Sequence, residues 1–208
     1  MRKIIVLLGV VSALILTLGG CAAKPKPTEP IDAFLTALKA DINSEYDDTL
    51  YFTEEVTTFD TFNQIEENPE TPLELQTKLT EMLKAFEYEI VSETVDKEKA
   101  VVVVEVKTHD LGGLFTEWVT LIFTKAFEMA MSGATEEEIE AMFIQDFLTL
   151  AEKSEMDLLK TVEVKLTLVD GKWLMDGANA NKALFNAVTG DFLTFAEENP
   201  IFAEEPAE

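Results

Sequence analysis

The stretch VEVKLTLVDGKWLMD, residues 162–176, decides the fold of this chain. Apolar and polar side chains alternate in its first half, which is the period of a half-buried β-strand. Asp170 and Gly171 then form the pair that favours a two-residue type I′ turn, because both central positions of that turn need a positive φ. Apolar residues resume after the turn. The sequence therefore predicts an antiparallel β-hairpin, with Trp173 in the core.

A second hairpin is predicted upstream of the first. Residues 86–90 alternate between apolar side chains and glutamate, and the β-branched run AVVVVEVK follows at 100–107. The charged segment 96–99 between them is typical of a turn. The residues of the second strand expected to face the core are Ala100, Val102, Val104 and Val106.

Helices are predicted on both sides of these hairpins from apolar residues at three- and four-residue spacing. Thr71 to Glu74 and Thr135 to Glu138 are capping-box sequences, in which each side chain accepts from the other residue's backbone N–H. Because no crossover helix separates the strands of either hairpin, the sheet is expected to be antiparallel and the fold class α+β. The predicted helices span residues 30–43, 72–85, 113–154 as an antiparallel pair, and 179–188.

The charge of the chain excludes some classes of partner. Its 208 residues hold 40 acidic and 16 basic side chains, a formal charge of −24. A nucleic-acid backbone is held by Lys and Arg, so binding of nucleic acid through bulk charge is excluded. With 47% hydrophobic residues the chain is expected to fold as one domain. One His and one Cys leave little material for a metal site, and no metal or cofactor is predicted.

The first twenty residues have the organisation of a secretory leader. Arg2 and Lys3 precede an apolar run over residues 4–18, and small residues follow. The junction Leu18-Gly19-Gly20-Cys21 resembles the lipobox of bacterial lipoproteins, in which an aliphatic and two small residues precede the cysteine that receives diacylglycerol. That resemblance implies cleavage before Cys21 and its lipidation. The alternative is an uncleaved anchor with an incidental cysteine.

The leader divides the chain into four segments. Residues 1–20 are expected to be a signal peptide, 21–29 a tether, 30–195 a single domain, and 196–208 an acidic disordered tail. Loss of the leader leaves 188 residues with a formal charge of −26. Because two acyl chains form a stable anchor, the protein is expected on the extracytoplasmic face of the cell membrane, attached through its N-terminal lipid. The acidic body is expected to be repelled by anionic lipid.

Three segments resemble extracytoplasmic lipoproteins of Gram-positive bacteria with a nuclear-transport-factor-2-like (cystatin-like) domain of unknown function. They are the lipobox, the helix IDAFLTALK at 31–39, and VDGKWLMD at 169–176, which is similar to the ending dGkWkId of such domains. The resemblance covers most of residues 30–195 and implies a curved antiparallel sheet wrapped on helices, with a cone-shaped pocket. The helical pair at 113–154 is expected to be an insertion between strands. No activity is implied, because a fold does not fix a function.

Two constellations could serve catalysis, and each has a structural alternative. His109 and Asp110 could act as a general-base pair, but neighbours on an extended chain point to opposite sides. The alternative is a solvated loop His beside a capping Asp. Tyr88, on the predicted inner face of its strand, could act as an oxyanion donor beside a carboxylate base, although no acid is predicted on the same face.

A third motif, beginning at Asp41, has the acidic spacing of a calcium loop. Its sixth position holds Tyr46 in place of Gly, and its twelfth holds Phe52 in place of Glu. The motif therefore fails, and weak calcium binding or a solvated acidic surface stay open for residues 41–70.

Apolar residues on the helical pair form the candidate binding surface. A two-helix insertion that is apolar on one face must bury that face. It is buried either in the core or as a groove for a ligand or partner, and both interpretations stay open. The candidate residues are Tyr88, Phe115, Trp118, Ile122, Met129, Phe143 and Phe147.

We therefore expect a non-enzymatic binding domain whose occupant is a small apolar ligand, a peptide or an envelope protein. The alternative is a small-pocket enzyme of isomerase or hydrolase type on the same fold. The sequence holds no nucleophile elbow, metal signature or inward carboxylate, which favours the binding domain.

Overall fold

The computed structural model describes residues 25–40, 48–56 and 71–199, and within them the chain has an α+β fold. Four antiparallel strands form an unclosed, curved sheet in the order β1-β2-β3-β4, and six helices pack against it. This is the fold class that the sequence predicts. The elements are α1 (Thr28–Ala40), a 3₁₀ turn (Asp48–Leu50), α2 (Leu73–Lys84), β1 (Glu87–Asp96), β2 (Lys99–Thr108), α3 (Leu111–Ser132), α4 (Glu136–Lys153), β3 (Leu158–Val169), β4 (Lys172–Met175), α5 (Lys182–Val188) and α6 (Phe192–Glu198).

The β1–β2 hairpin forms where the sequence predicts it, and its inner face supplies much of the core. Every second residue of β2 from Ala100 to Val106 is buried, as predicted. Each such valine contributes about 1.5–3 kcal/mol by leaving water. The register between the strands shifts between Ile90 and Ser92. Val91 is the extra residue of this β-bulge, and its side chain is exposed.

The β3–β4 hairpin is closed by the predicted turn. Asp170 and Gly171 have φ values of 50° and 81°, the signs that a type I′ turn requires. Trp173 is buried, as predicted. Its indole Nε1 donates to the carbonyl oxygen of Pro25, 3.2 Å away. Pro25, within the predicted tether, therefore lies near the turn end of this hairpin.

The helices bury their apolar faces on one side of the sheet. Helix α1 buries the face predicted from its spacing, including Phe34. The Phe34 ring lies 4.9 Å from the ring of Phe52, which in turn stacks at 5.8 Å on Phe185 of α5. On the opposite face of the sheet, Glu163 and Lys165 of β3 are exposed. The core therefore lies on one side of the sheet.

The two-helix insertion lies between β2 and β3, as predicted. Thr108 and Leu158, the residues at which the helical pair leaves and rejoins the sheet, are register partners. The β3–β4 turn lies at the other end of the sheet, because Lys99 pairs with Thr167. At about 3.3 Å per residue, the two ends of β2 are about 30 Å apart. The base of the helical pair and the tether contact therefore lie at opposite ends of the sheet.

Helix α3 begins two residues before its predicted start, so Gly112 and Gly113 lie inside its first turn. Close packing explains the glycine at the first of these positions. The Gly112 N–H donates to the carbonyl of Gly190 at 2.8 Å. A Cβ on Gly112 would lie 2.8 Å from the carbonyl oxygen of Asp191, so a side chain there would push the C-terminal segment away.

One of the two predicted capping boxes forms. At the start of α4, the Thr135 hydroxyl accepts from the Glu138 N–H at 3.3 Å, and the Glu138 carboxylate accepts from the Thr135 N–H at 2.9 Å. The prediction for α2 is wrong, because Pro72 occupies the N-cap and no side chain caps this helix. Pro72 has an extended ψ of 134°, and a residue that precedes proline is itself biased toward extended backbone. Thr71 therefore lies one residue outside the capping position.

The C-terminal part of the domain holds two short helices where the sequence predicts one. Helix α5 begins at Lys182 rather than at residue 179, because the side chain of Asn181 binds β3. Its Oδ1 accepts from the Lys165 N–H at 2.7 Å, and its Nδ2 donates to the Lys165 carbonyl at 3.1 Å. Helix α6 was not predicted, and it buries Phe192 and Phe195.

Several predicted features lie outside the described residues. They include the leader and Cys21 of the lipobox, most of the acidic stretch 41–70 with its failed calcium loop, and residues 200–208 of the predicted tail 196–208. The first residues of that predicted tail, 196–198, belong to α6. Among the helices that the structure does describe, none combines the length and the apolar character needed to span a membrane.

Candidate partner surface on the helical pair

An aromatic cluster fixes the helical pair to the domain. Phe115 and Trp118 of α3 contact Phe147 of α4, with ring centroids 5.5 and 5.3 Å apart. Phe192 and Phe195 of α6 lie 4.9 and 5.6 Å from Phe115. We call these five residues the root. Phe115 and Phe147 are buried, so the root is part of the core.

Polar contacts join the two junctions at which the helical pair meets the sheet. His109, after β2, and Ser154, after α4, lie 3.0 Å apart between Nδ1 and Oγ. Asp110 caps α3, because its Oδ1 accepts from the Gly113 N–H at 2.8 Å. Asp110 therefore has the capping role that the structural alternative predicts. His109 does not match that alternative, because it is half-buried rather than solvated.

The environment of His109 disfavours its charged form. Burial lowers the pKa of His109, and the positive charge of Lys78 lowers it further, against smaller opposing effects of the Glu155 backbone and the Asp157 carboxylate. A histidine whose pKa lies below 6.5 is neutral at pH 7. The imidazole therefore acts here as a neutral hydrogen-bonding group between two chain segments.

The core ends part-way along the helical pair. Among the described residues, the apolar cluster of the domain includes α3 only as far as Val119 and α4 only from Phe147 onward. We call residues 120–146, which lie beyond these limits, the distal arm. Its apolar side chains are not covered by the domain core.

Two polar contacts join α3 and α4, one within the distal arm and one between the root and the arm. Lys125 Nζ of α3 bonds both carboxylate oxygens of Asp146 on α4, at 2.6 and 2.7 Å. At the root end of the arm, the Trp118 Nε1 donates to the carbonyl oxygen of Phe143 at 2.9 Å. The ion pair is partly shielded from solvent, so it fixes the two helices more firmly than a fully exposed pair would.

Three large apolar side chains on the distal arm face solvent. Phe123, Phe127 and Met131 are 71%, 72% and 75% exposed, and their four-residue spacing places them in one row on α3. We call this row the apolar stripe. Its exposed area is roughly 400 Å², estimated from the size of such side chains. Contiguous patches of this size on a monomer are often functional.

A row of threonines beside the apolar stripe adds to its apolar character. The hydroxyls of Thr116, Thr120 and Thr124 each donate to the carbonyl oxygen four residues earlier, at 2.8 or 2.9 Å. These donors are therefore used inside the helix. The row offers methyl groups and no free hydroxyl proton to a partner.

The helical pair that carries the apolar stripe is acidic. Residues 111–153 hold eight acidic and two basic side chains, and one of the two basic residues, Lys125, is already paired with Asp146. Glu128 lies between Phe127 and Met131 in the sequence of α3. Of the eight acidic residues, two are on α3 with the stripe and six are on α4, so the net charge of the helical pair, rather than a ring of acids, favours a positively charged partner.

The structure divides the seven candidate residues of the sequence analysis into three groups. Three lie in the root, three are half-buried on the distal arm, and one lies on β1, away from the others. In that order they are Phe115, Trp118 and Phe147; Ile122, Met129 and Phe143; and Tyr88.

Tyr88 connects the sheet to α1. Its hydroxyl donates to the Asp32 carboxylate at 2.8 Å and lies 3.2 Å from the Thr36 hydroxyl. Burial raises the pKa of Tyr88, and the hydrogen bond and charge of Asp32 raise it further. The strand pattern predicts no acidic residue beside Tyr88. The structure supplies one from helix α1, where Asp32 accepts a hydrogen bond from the protonated tyrosine.

The apolar stripe was not among the candidate residues, although the sequence contains its signal. Between Val119 and Met131, only Lys125 and Glu128 are charged, so apolar side chains surround this part of the helix. A helix that is apolar on all sides must be buried on all sides or meet a partner. The candidate residues belong to the single face that meets α4 and the core, which left the opposite face out.

An open groove of about 490 Å³ runs along α2 on another part of the surface. None of the seven candidate residues lines it. Within the described ranges, no group of three or more His, Cys, Asp or Glu side chains is arranged to hold a metal ion. The groove is lined by Leu73, Gln76, Thr77, Thr80, Glu81, Lys84 and Ala85.

Comparison with known proteins does not assign the chain to a family. No family model and no curated protein matches it. Among solved structures, one similar chain is "a putative lipoprotein (ycdA)" from Bacillus subtilis, with 18% sequence identity and a TM-score of 0.37. The alignment covers 78% of this chain and 46% of that one, so the chain spans less than half the length of this neighbour. Similarity at this level transfers neither an activity nor a partner.

Proposed function

We propose that this chain is a lipoprotein on the extracytoplasmic face of the cell membrane whose domain binds a protein partner and does not catalyse a reaction. The observation that carries the proposal is the apolar stripe, because Phe123, Phe127 and Met131 are each more than 70% exposed. Exposed apolar side chains in one contiguous row cost solubility, and a binding partner explains their presence.

The lipid anchor is supported by the N-terminal sequence. A basic start, an apolar run and the junction Leu18-Gly19-Gly20-Cys21 have the order of a lipoprotein leader. Pro25 touches Trp173, so four residues after the lipidated cysteine the chain already lies against the domain. Such a short connection, at most about 14 Å when extended, would keep the domain close to the membrane.

The domain itself we assign to the nuclear-transport-factor-2-like class. The curved antiparallel sheet wrapped on helices is the architecture that the resemblance of the sequence implies. This assignment concerns the fold only, since domains of one fold carry unrelated functions.

The non-enzymatic part of the proposal is supported by the roles of the two polar groups that could serve catalysis. His109 bonds Ser154 between two chain junctions, and Tyr88 bonds Asp32 between a strand and a helix. Each side chain therefore has a structural role in its own contact.

The anchor is tested by cell fractionation of the Cys21→Ala variant. The wild-type protein is expected in the membrane fraction, extractable with detergent, and the variant in the soluble extracytoplasmic fraction. A variant that still sediments with membranes would overturn the lipid anchor.

The binding role is tested by chemical cross-linking in native membranes. The wild-type chain is compared with Phe127→Ser and with Leu73→Ser, an equally exposed apolar residue on α2. We expect a cross-linked complex with wild type and Leu73→Ser that is lost with Phe127→Ser, while the thermal midpoint of all three stays the same. The same cross-linking pattern in all three proteins would contradict the proposal.

A further inference from the structure

We infer that the occupant of the apolar stripe is a basic amphipathic helix of a partner protein. The inference rests on the proposed function and names the chemistry of the partner. It follows from the charge of the helical pair, from the position of the base of that pair relative to the tether, and from the hydrogen bonds of α3.

Charge and area disfavour a second copy of this chain. The helical pair, residues 111–153, carries eight acidic and two basic residues, so two copies would bring together two surfaces of like net charge. The stripe exposes roughly 400 Å², about half of the ~800 Å² per partner that a stable interface buries. A single helix with basic residues beside its apolar face would bury a smaller area and would bring no like charge to the helical pair.

Charge and position also disfavour the lipid surface. The tether contact of Pro25 lies by the β3–β4 turn, whereas the helical pair leaves the sheet at Thr108 and Leu158, about 30 Å away at the other end. An acidic arm is in addition repelled by anionic headgroups. The base of the helical pair is therefore remote from the anchor, and this distance together with the charge favours a protein over the membrane as the occupant.

The hydrogen bonds of α3 favour a helical occupant over an extended one. An extended peptide needs the free backbone groups of a sheet edge on the surface that it binds, but backbone groups inside a helix such as α3 are used within it. The Thr116, Thr120 and Thr124 hydroxyls add no donor, because each already donates within α3. A helix satisfies its backbone internally and needs only side-chain packing. The stripe runs about 12 Å along α3 from Phe123 to Met131, so two turns of an apolar helix face would cover it. Lys or Arg beside that face would complement the net negative charge of the helical pair.

The probe for this inference is a labelled Leu/Lys peptide of about 18 residues, with leucines at the spacing of one helix face. Its binding is measured by fluorescence anisotropy to the full lipidated chain in phosphatidylcholine nanodiscs, at low and high salt. A peptide of the same composition in scrambled order and a Leu/Glu peptide of the same spacing serve as comparisons.

We expect the Leu/Lys peptide to bind at least about tenfold more tightly than either comparison peptide, and less tightly at high salt. The Phe127→Ser variant is expected to weaken binding about tenfold, as for a central apolar contact. The Leu73→Ser control is expected to leave it within about twofold. Equal binding of the scrambled peptide, or a Leu73→Ser effect larger than that of Phe127→Ser, would overturn the inference.

The other occupants have their own measurements. Recruitment of the Cys21→Ala chain to phosphatidylglycerol vesicles that disappears with Phe127→Ser would assign the stripe to lipid. A dimer in sedimentation that disappears with the same substitution would assign it to a second copy. Either result overturns the inference.

Failure of the inference can be separated from failure of the proposed function. If cross-linking in native membranes depends on Phe127 but the Leu/Lys peptide does not bind, only the basic amphipathic helix is wrong. If neither the cross-linking nor the peptide binding depends on Phe127, both the inference and the proposed binding role are wrong.

Discussion

His109 and Ser154 are hydrogen-bonded across the two junctions of the helical pair, with 3.0 Å between Nδ1 and Oγ. The two residues are separated by the whole insertion, yet they lie beside the register partners Thr108 and Leu158. The bond therefore closes the insertion at its base. It gives the histidine a structural role that its position next to Asp110 in the sequence does not reveal.

Removing this bond is expected to weaken the domain without unfolding it. The Ser154→Ala variant leaves the half-buried imidazole without its hydroxyl partner, and a loss of about 0.5–1.5 kcal/mol in the free energy of unfolding is expected. Urea denaturation of wild type and variant measures it. Ser132→Ala, which removes an exposed hydroxyl bonded at 2.8 Å to the Met129 carbonyl, is the control and should lose less.

The same histidine makes stability depend on pH. Because the pKa of folded His109 lies below 6.5, with burial as the main cause, the unfolded chain takes up the proton first as the pH falls. The contribution of the neutral histidine is complete above pH 6.5 and is lost as the pH falls through 6.5 toward the folded pKa. Between about pH 7.5 and about pH 5, the His109→Gln variant should therefore lose less of its thermal midpoint than wild type. An identical pH profile for both proteins would contradict the role of His109.

Two glycines with positive φ should respond differently to alanine. Gly133, between α3 and α4, has a φ of 80° and open space where a Cβ would stand, whereas Gly190 has a φ of 57° and a Cβ there would overlap the carbonyl oxygen of His109. Gly133→Ala is expected to cost about 1–2 kcal/mol, from the left-handed backbone alone. Gly190→Ala should cost at least twice as much, because a backbone atom must move. Equal losses in thermal denaturation would show that the close approach at Gly190 is unimportant.

Truncation of one phenylalanine in the root and one in the apolar stripe distinguishes what each contributes to the stability of the domain. Phe147 is completely buried and Phe127 is 72% exposed. Phe147→Ala is expected to lose about 3–5 kcal/mol of unfolding free energy through the cavity that it leaves. Phe127→Ala should change it by less than about 0.5 kcal/mol. A large loss with Phe127→Ala would mean that the stripe is buried within the protein.

The two capping-box sequences provide a further matched pair. Thr135 accepts from the Glu138 N–H, whereas the N-cap of α2 is Pro72 without a side-chain cap. Thr135→Ala should therefore lose about 1 kcal/mol, and Thr71→Ala close to nothing. Comparable losses for the two variants would indicate that Thr71 caps α2 in solution.

The sequence predicts the elements whose signals are local. Alternating side chains and the Asp170-Gly171 pair identify both strands of the β3–β4 hairpin, and three- and four-residue spacing identifies the buried face of α1. In each case neighbouring residues contain the whole signal. The fold class follows, because hairpins without crossover helices leave only an antiparallel sheet.

The features that the sequence did not predict depend on residues far apart in the chain. Helix α5 starts late because Asn181 binds the backbone of Lys165, and α6 is held by contacts of Phe192 and Phe195 with Phe115. For a related reason, the candidate residues include the face of α3 that meets α4 and leave out the apolar stripe on the opposite face. Spacing identifies which residues share a helix face, but it does not tell which of two apolar faces the core will cover.

The end of the core at Val119 and Phe147 has a consequence for how such a protein can evolve. Substitutions in residues 120–146 leave the sheet and the root intact, so selection there acts on what the arm meets and hardly on folding. Relatives could therefore keep one inherited scaffold while their arms diverge to recognise different partners. Rapid sequence change in the arm beside a slowly changing root is the pattern that this division of labour would leave among descendants.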